Sequence, residues 1–110
     1  MRLWGIWSTM REGVLVVFHL PAGSTPAQHR TFRRKVYGEE TSSWSGRYRY
    51  HRKGFLDEIP CVRLYWGVII VRKKDSTHLS QVMREMGGQV EMRRVRLSPG
   101  DEKSLGLSVT

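Results

Sequence analysis

Val14-Leu15-Val16-Val17-Phe18-His19-Leu20-Pro21 is an apolar run that ends at a turn residue. Consecutive aliphatic and β-branched residues followed by Phe require burial on both faces, as in a central strand of a sheet. Pro21 has no backbone N–H to give to a ladder and stops the strand. His19 is thereby expected at the rim of a sheet, where small α/β domains commonly place their chemistry. Thr25-Pro26-Ala27-Gln28 follows as a capping box with Pro at the first helical position, so a helix is predicted from Pro26 to about Gly38. Phe32 and Val36 lie one turn apart on its buried face, and Arg30, Arg33, Arg34 and Lys35 cover the rest.

The chain has 110 residues with 39% apolar content, enough for one core. Its 19 Lys and Arg against 10 Asp and Glu give a net charge of +9, which points to a polyanionic partner, nucleic acid first. Arg dominates, and its planar fork matches phosphate oxygens; the alternative is a merely solvated basic surface. The single cysteine, Cys61, cannot form an internal disulfide and reads as a small core hydrophobe in a reducing, cytoplasmic compartment. The sequence contains no Asn, a depletion of labile amides that fits a thermophile. No stretch approaches the ~20 apolar residues of a membrane span, so no membrane partner is expected. Met10 stands just before the first strand, and residues 1–9 read as an extension without structural role.

Arg47-Tyr48-Arg49-Tyr50-His51-Arg52-Lys53 is a strand pattern with Tyr48 and Tyr50 on one face and Arg47, Arg49 and His51 on the other. Bases stacking on tyrosines while arginines meet phosphates is the arrangement used for single strands; an edge strand with arginines guarding it is the competing reading. Residues 30–53 hold eight cations and two acids. Cys61 to Val71 reads as one long strand with a bulge or bend at Gly67. Asp75, Ser76 or Thr77 is expected to cap a second helix carrying Leu79, Val82, Met83 and Met86, ended by Gly87-Gly88. From Gln89 to Leu97 the apolar phase slips at Arg93-Arg94, which predicts a β-bulge or a strand that changes sheets. The tail alternates Leu105, Leu107 and Val109, the pattern of a short strand.

This order predicts an α+β fold of the ferredoxin-like βαββαβ type, with an antiparallel sheet, two helices on one face and an extra C-terminal strand. Residues 1–12 would be an N-terminal extension, 13–97 the domain with a basic insert at 39–60, and 98–110 the tail. The Val14–Leu20 strand with its Pro21 turn, Phe32-Arg33-Arg34-Lys35-Val36, Leu64-Tyr65-Trp66-Gly67-Val68, the short second helix and the Val90–Leu97 strand together resemble the small CRISPR-associated adaptation protein, the second universal protein of those systems, and its VapD-type relatives. The resemblance implies antiviral defence and a homodimer in which the last strand, here Leu105, Leu107 and Val109, adds to the partner's sheet. It implies either a scaffold for duplex DNA or a divalent-metal endonuclease. The family's metal-binding Asp ends the first strand, where this chain has His19. An imidazole is a poor ligand for Mg²⁺, so no metal or other cofactor is expected, Mg²⁺ entering only for a nuclease.

Three readings follow from these residues. The first is a dimeric nucleic-acid-binding protein without the nuclease site, with Arg30, Arg33, Arg34, Lys35, Arg47, Arg49, Arg52 and Lys53 on phosphates and Tyr48 and Tyr50 on bases. The second is an endonuclease, in which His19, paired with its copy across a dimer axis or with His51, acts as general acid or base, since a histidine side chain suits proton transfer at neutral pH; a histidine bonded locally at a strand end is the plainer account of His19. The third is a small regulatory or protein-interaction domain using the apolar tail and Trp44. His29, His78, Asp57, Glu58 and Asp75 show no metal-ligand spacing, and there is no phosphate loop or nucleophile elbow.

Overall fold

The structure, a computed structural model, describes residues 11–43 and 48–107, with the backbone alone for 41–43 and 48–50. Its first strand, β1 (Glu12–His19), is central in a four-stranded antiparallel sheet with β4 (Cys61–Tyr65), β5 (Val68–Val71) and β6 (Gln89–Arg96), ordered β4-β5-β1-β6. Val16 lies between Ile69 of β5 and Met92 of β6. Helices α1 (Pro26–Tyr37) and α2 (Lys73–Glu85) pack on one face, and α3 (Pro99–Ser104) follows β6. Strands β2 (Glu39–Ser43) and β3 (Tyr48–Arg52) form a separate hairpin, followed by a 3₁₀ turn at Phe55–Glu58.

Strand alternation divides β1 between two cores. Val14, Val16 and Phe18 face the helices, where they meet Phe32 and Val36 of α1, Leu79 and Met83 of α2, and Leu56 of the 3₁₀ turn. On the opposite face, Leu15 packs with Ile70, Leu97 and Leu105. Helix α1 begins as its sequence dictates: Thr25 Oγ1 accepts from Gln28 N at 3.1 Å, and Gln28 Oε1 accepts from Thr25 N at 2.8 Å. It ends at Gly38, whose φ of 84° is open to glycine.

Several expectations are corrected. Residues 61–71 are two strands, because Gly67, at φ 79°, takes the turn that folds β5 back on β4; the irregularity falls between Arg63 and Tyr65 instead. Residues 48–52 are a strand, but they pair with β2 and add nothing to the main sheet. Helix α2 starts at Lys73, before all three expected caps; its N-cap Arg72 makes no side-chain cap, and Arg72 Nε instead donates to Asp75 Oδ2 at 2.7 Å. The β1–β6 register runs without interruption from Glu12–Arg96 to His19–Gln89, so no bulge occurs at Arg93-Arg94. The phase slip has another cause: Val90 and Met92 pack on the helix-side core, whereas Val95 packs on the second core with Leu97.

The tail is also different. Among the described residues it forms no strand. Ser98-Pro99-Gly100-Asp101 is a capping box: Ser98 Oγ accepts from Asp101 N, and Asp101 Oδ2 from Ser98 N, both at 3.1 Å. The resulting helix delivers Leu105 into the second core, where complete burial of a Leu stabilises by about 1.5–3 kcal/mol. Leu107 packs against the same core, and Val109 lies outside the described residues. Cys61 is half-buried at the edge of the helix-side core. No helix among the described residues is long and apolar enough to cross a membrane.

Candidate nucleic-acid interface

The cations of α1 divide by helical geometry. Arg30 and Arg34 lie one turn apart, opposite the Phe32–Val36 stripe, and Arg33 flanks them on the side of Tyr37. Lys35 sits about 100° further round from Arg34 and lines a separate cleft with Gln28, Phe32 and Met86. All four are exposed. The helix carries no acid, and Arg34 and Lys35 occupy its last turn, where the negative end of the helix dipole favours cations.

The turn between β4 and β5 docks on the C-terminal half of α1. Trp66 stacks on Tyr37 with ring centroids 4.2 Å apart and an interplanar angle of 25°, and the Arg33 guanidinium lies 4.5 Å from the Trp66 ring centroid. Gly67 N donates to the Tyr37 hydroxyl at 2.9 Å. Burial raises the Tyr37 phenol above its ordinary pKa, and the Gly67 hydrogen bond opposes that rise. Arg63 reaches over the other part of this cluster, its guanidinium 5.5 Å from the Tyr37 ring centroid.

A polar chain continues from Arg63 to the hairpin. Arg63 Nη2 donates to Asp57 Oδ1 at 3.2 Å, while Asp57 Oδ2 accepts from Gly54 N at 2.9 Å and contacts His51 Nε2 at 2.6 Å. His51 Nδ1 lies 3.0 Å from Glu40 Oε1. With a carboxylate at each ring nitrogen, both nitrogens donate only in the imidazolium form. The Asp57 hydrogen bond raises the His51 pKa first of all, and Glu40 adds to it; the same bond lowers the Asp57 carboxyl. Because the two carboxylates sit on opposite sides of one ring, they do not converge on a point. Among the described residues no group of three His, Cys, Asp or Glu could hold a metal ion.

The base of the hairpin is closed by two glycines. A Cβ on Gly54 would sit 2.6 Å from Val36 O and strike the backbone of Tyr37 and Gly38, and a Cβ on Gly38 would lie 2.8 Å from Gly54 N. Arg52 and Lys53, both exposed, are carried on this crossing at the end of α1.

The structure thus gathers Arg30, Arg33 and Arg34 on one helix face and sets Lys35 apart. The expectations for Arg47 and for the side chains of Tyr48, Arg49 and Tyr50 lie outside the described residues. His19 is exposed at the end of β1, and its Nδ1 lies 3.0 Å from the carbonyl of Leu20; its ring makes no other hydrogen bond or ion pair among the described residues. His51 is engaged by Glu40 and Asp57 rather than by His19. Asp57, scattered by sequence spacing, is the hub that joins His51, Gly54 and Arg63. Arg63 and Trp66 carry no local sequence signal, because their partners on α1 and in the 3₁₀ turn are brought near only by the sheet. No protein family, characterised protein or solved structure was found to match the chain.

Proposed function

We propose that the protein is a nucleic-acid-binding module of ferredoxin-like fold that works as a homodimer, with phosphates meeting the outer face of α1 and the base of the hairpin. The strand order β4-β5-β1-β6, with α1 and α2 on one face, supports the fold reading. One observation carries the binding reading. Arg30, Arg33, Arg34, Arg52 and Lys53 are exposed and have no carboxylate partner among the described residues, whereas the acids at 12, 40, 57, 75, 91 and 102 pair with other groups. Exposed cations without a carboxylate partner on a chain of charge +9 are available to displace the counterions of a polyanion. The likeness to the CRISPR adaptation protein agrees with a scaffold role, and the local hydrogen bond of His19 favours binding over cleavage.

The test is fluorescence anisotropy of labelled duplex DNA and single-stranded RNA, titrated in EDTA at several salt concentrations. Binding with a steep salt slope is expected. Absence of binding at low salt overturns the reading.

A further inference from the structure

Among the described residues strand β6 is an edge of the main sheet, and alternate backbone groups along it face away from β1. Their identity follows from two hydrogen bonds. Leu97 N donates to Arg11 O at 2.8 Å, which turns the odd-numbered residues of β6 toward β1; Phe18 N donates to Gly67 O at 2.9 Å, which turns the even-numbered residues of β1 the other way, toward β5. Val90, Met92 and Arg94 therefore present their N–H and C=O groups outward. Glu91 and Arg93 lie on the face opposite α1 and α2, both exposed and paired at 3.2 Å.

We propose that this edge pairs with the same edge of a second copy, antiparallel, about a two-fold axis through Met92. The axis must fall on a residue, since an axis between residues sets outward groups against inward ones. Placed on Glu91 it opposes two carboxylates, and on Arg93 or Arg94 two guanidiniums. Like charges directly opposite are destabilising. Placed on Met92, it sets Glu91 of each copy opposite Arg93 of the other, and Val90 opposite Arg94. The outward groups of Val90, Met92 and Arg94 then find partners across the axis.

A second, independent observation lies on the helix side of the same edge. A groove of about 470 Å³ runs between α2 and β6, lined by Thr77, Gln81, Arg84, Glu85 and Met92. Ser80 lines it too; its side chain is buried and its Oγ has no hydrogen-bond partner among the described residues, a condition that native folds rarely leave uncorrected. A two-fold axis perpendicular to the sheet keeps both α2 helices on one side and brings the two grooves together. The buried Ser80 hydroxyl then lies in the space that the second copy closes.

This inference deepens the homodimer part of the proposed function and is independent of nucleic acid. Sedimentation equilibrium of the full chain is expected to show a dimer. Glu91→Arg is expected to weaken it about tenfold or more, since two cross-strand pairs turn repulsive, and Glu91→Arg with Arg93→Glu to restore it. Circular dichroism of each variant checks the fold. In a Cys61→Ser background, Met92→Cys is expected to give a disulfide-linked dimer with oxidised glutathione, because directly opposite hydrogen-bonded residues have Cα atoms about 5.5 Å apart, within disulfide reach. Gln89→Cys, far from its own counterpart, is expected to stay unlinked. A monomer overturns the homodimer and this edge together. A dimer whose Met92→Cys form fails to cross-link, or whose affinity ignores the charge exchange, overturns the edge alone.

Discussion

Replacing Arg30 and Arg34 together by Gln tests whether one face of α1 meets phosphates. The two side chains stand opposite the buried stripe and have no carboxylate partner among the described residues, so each is free to displace one counterion. Two lost contacts lower the slope of log affinity against log salt by about 1.8 on duplex DNA and about 1.4 on single strands, at roughly 0.9 and 0.7 per contact. Lys35→Gln is the internal control, since Lys35 lines the cleft toward Met86 instead. It should change the slope by less than about half a unit. Gln is nearly as good a helix former as Arg and Lys, so melting curves should move little. Anisotropy titrations over a range of KCl concentrations read the slope directly. An unchanged slope in the double variant refutes the α1 face. Equal drops in the double variant and Lys35→Gln mean that binding senses total charge and not this arrangement.

The His51 ring should titrate above its ordinary 6.5, followed through its Hε1 proton by NMR, and Asp57→Asn should bring the midpoint down. A midpoint at or below 6.5 in the unmodified chain contradicts the double carboxylate contact. The sign for stability follows. A raised His51 supports the hairpin fully below its unfolded value and loses that support as pH rises through the folded one; a lowered Asp57 supports it above about 3.8 and loses that support as pH falls further. Trp66→Ala removes the Tyr37 stack and the Arg33 contact and should cost about 1–2 kcal/mol in urea unfolding, with nucleic-acid affinity nearly unchanged; no loss of stability would show that the turn does not dock on α1. Gly54→Ala forces a Cβ against backbone that cannot rotate away, and should cost about 1–3 kcal/mol. A neutral result there rules out the crossing of the chain at Gly38.

Local signals are legible in the sequence where a single element decides them. The Thr25 capping box, the Phe32–Val36 stripe, the β1 run and the Leu79–Met83 pair appear in the fold as their residue types require. Residues 61–71 are less legible. An apolar run that spans a tight turn looks continuous, and only the positive φ at Gly67 separates β4 from β5. Ser98-Pro99-Gly100-Asp101 held a helix start that the alternation of Leu105 and Leu107 obscured, because alternate leucines fit a strand and a packed helix exit equally. The basic segment was legible as charge but not as geometry. The separation of Lys35 from Arg34 follows from the helix period, whereas the links from Arg63 to Asp57 and from Trp66 to Tyr37 and Arg33 depend on which strand lies beside which helix.

The touching of Gly38 and Gly54 makes residues 39–53 a detachable cassette. Their two ends meet at one point, and β2 and β3 lend no strand to the main sheet. A chain rejoined at that point would still run from α1 through the 3₁₀ turn to β4, while segments of other lengths and charges could be spliced in at a closure cost that grows only with the logarithm of length. Two constraints travel with such grafts: the splice must keep both glycines, and a graft without His51 leaves Asp57 to Arg63 and the Gly54 amide alone.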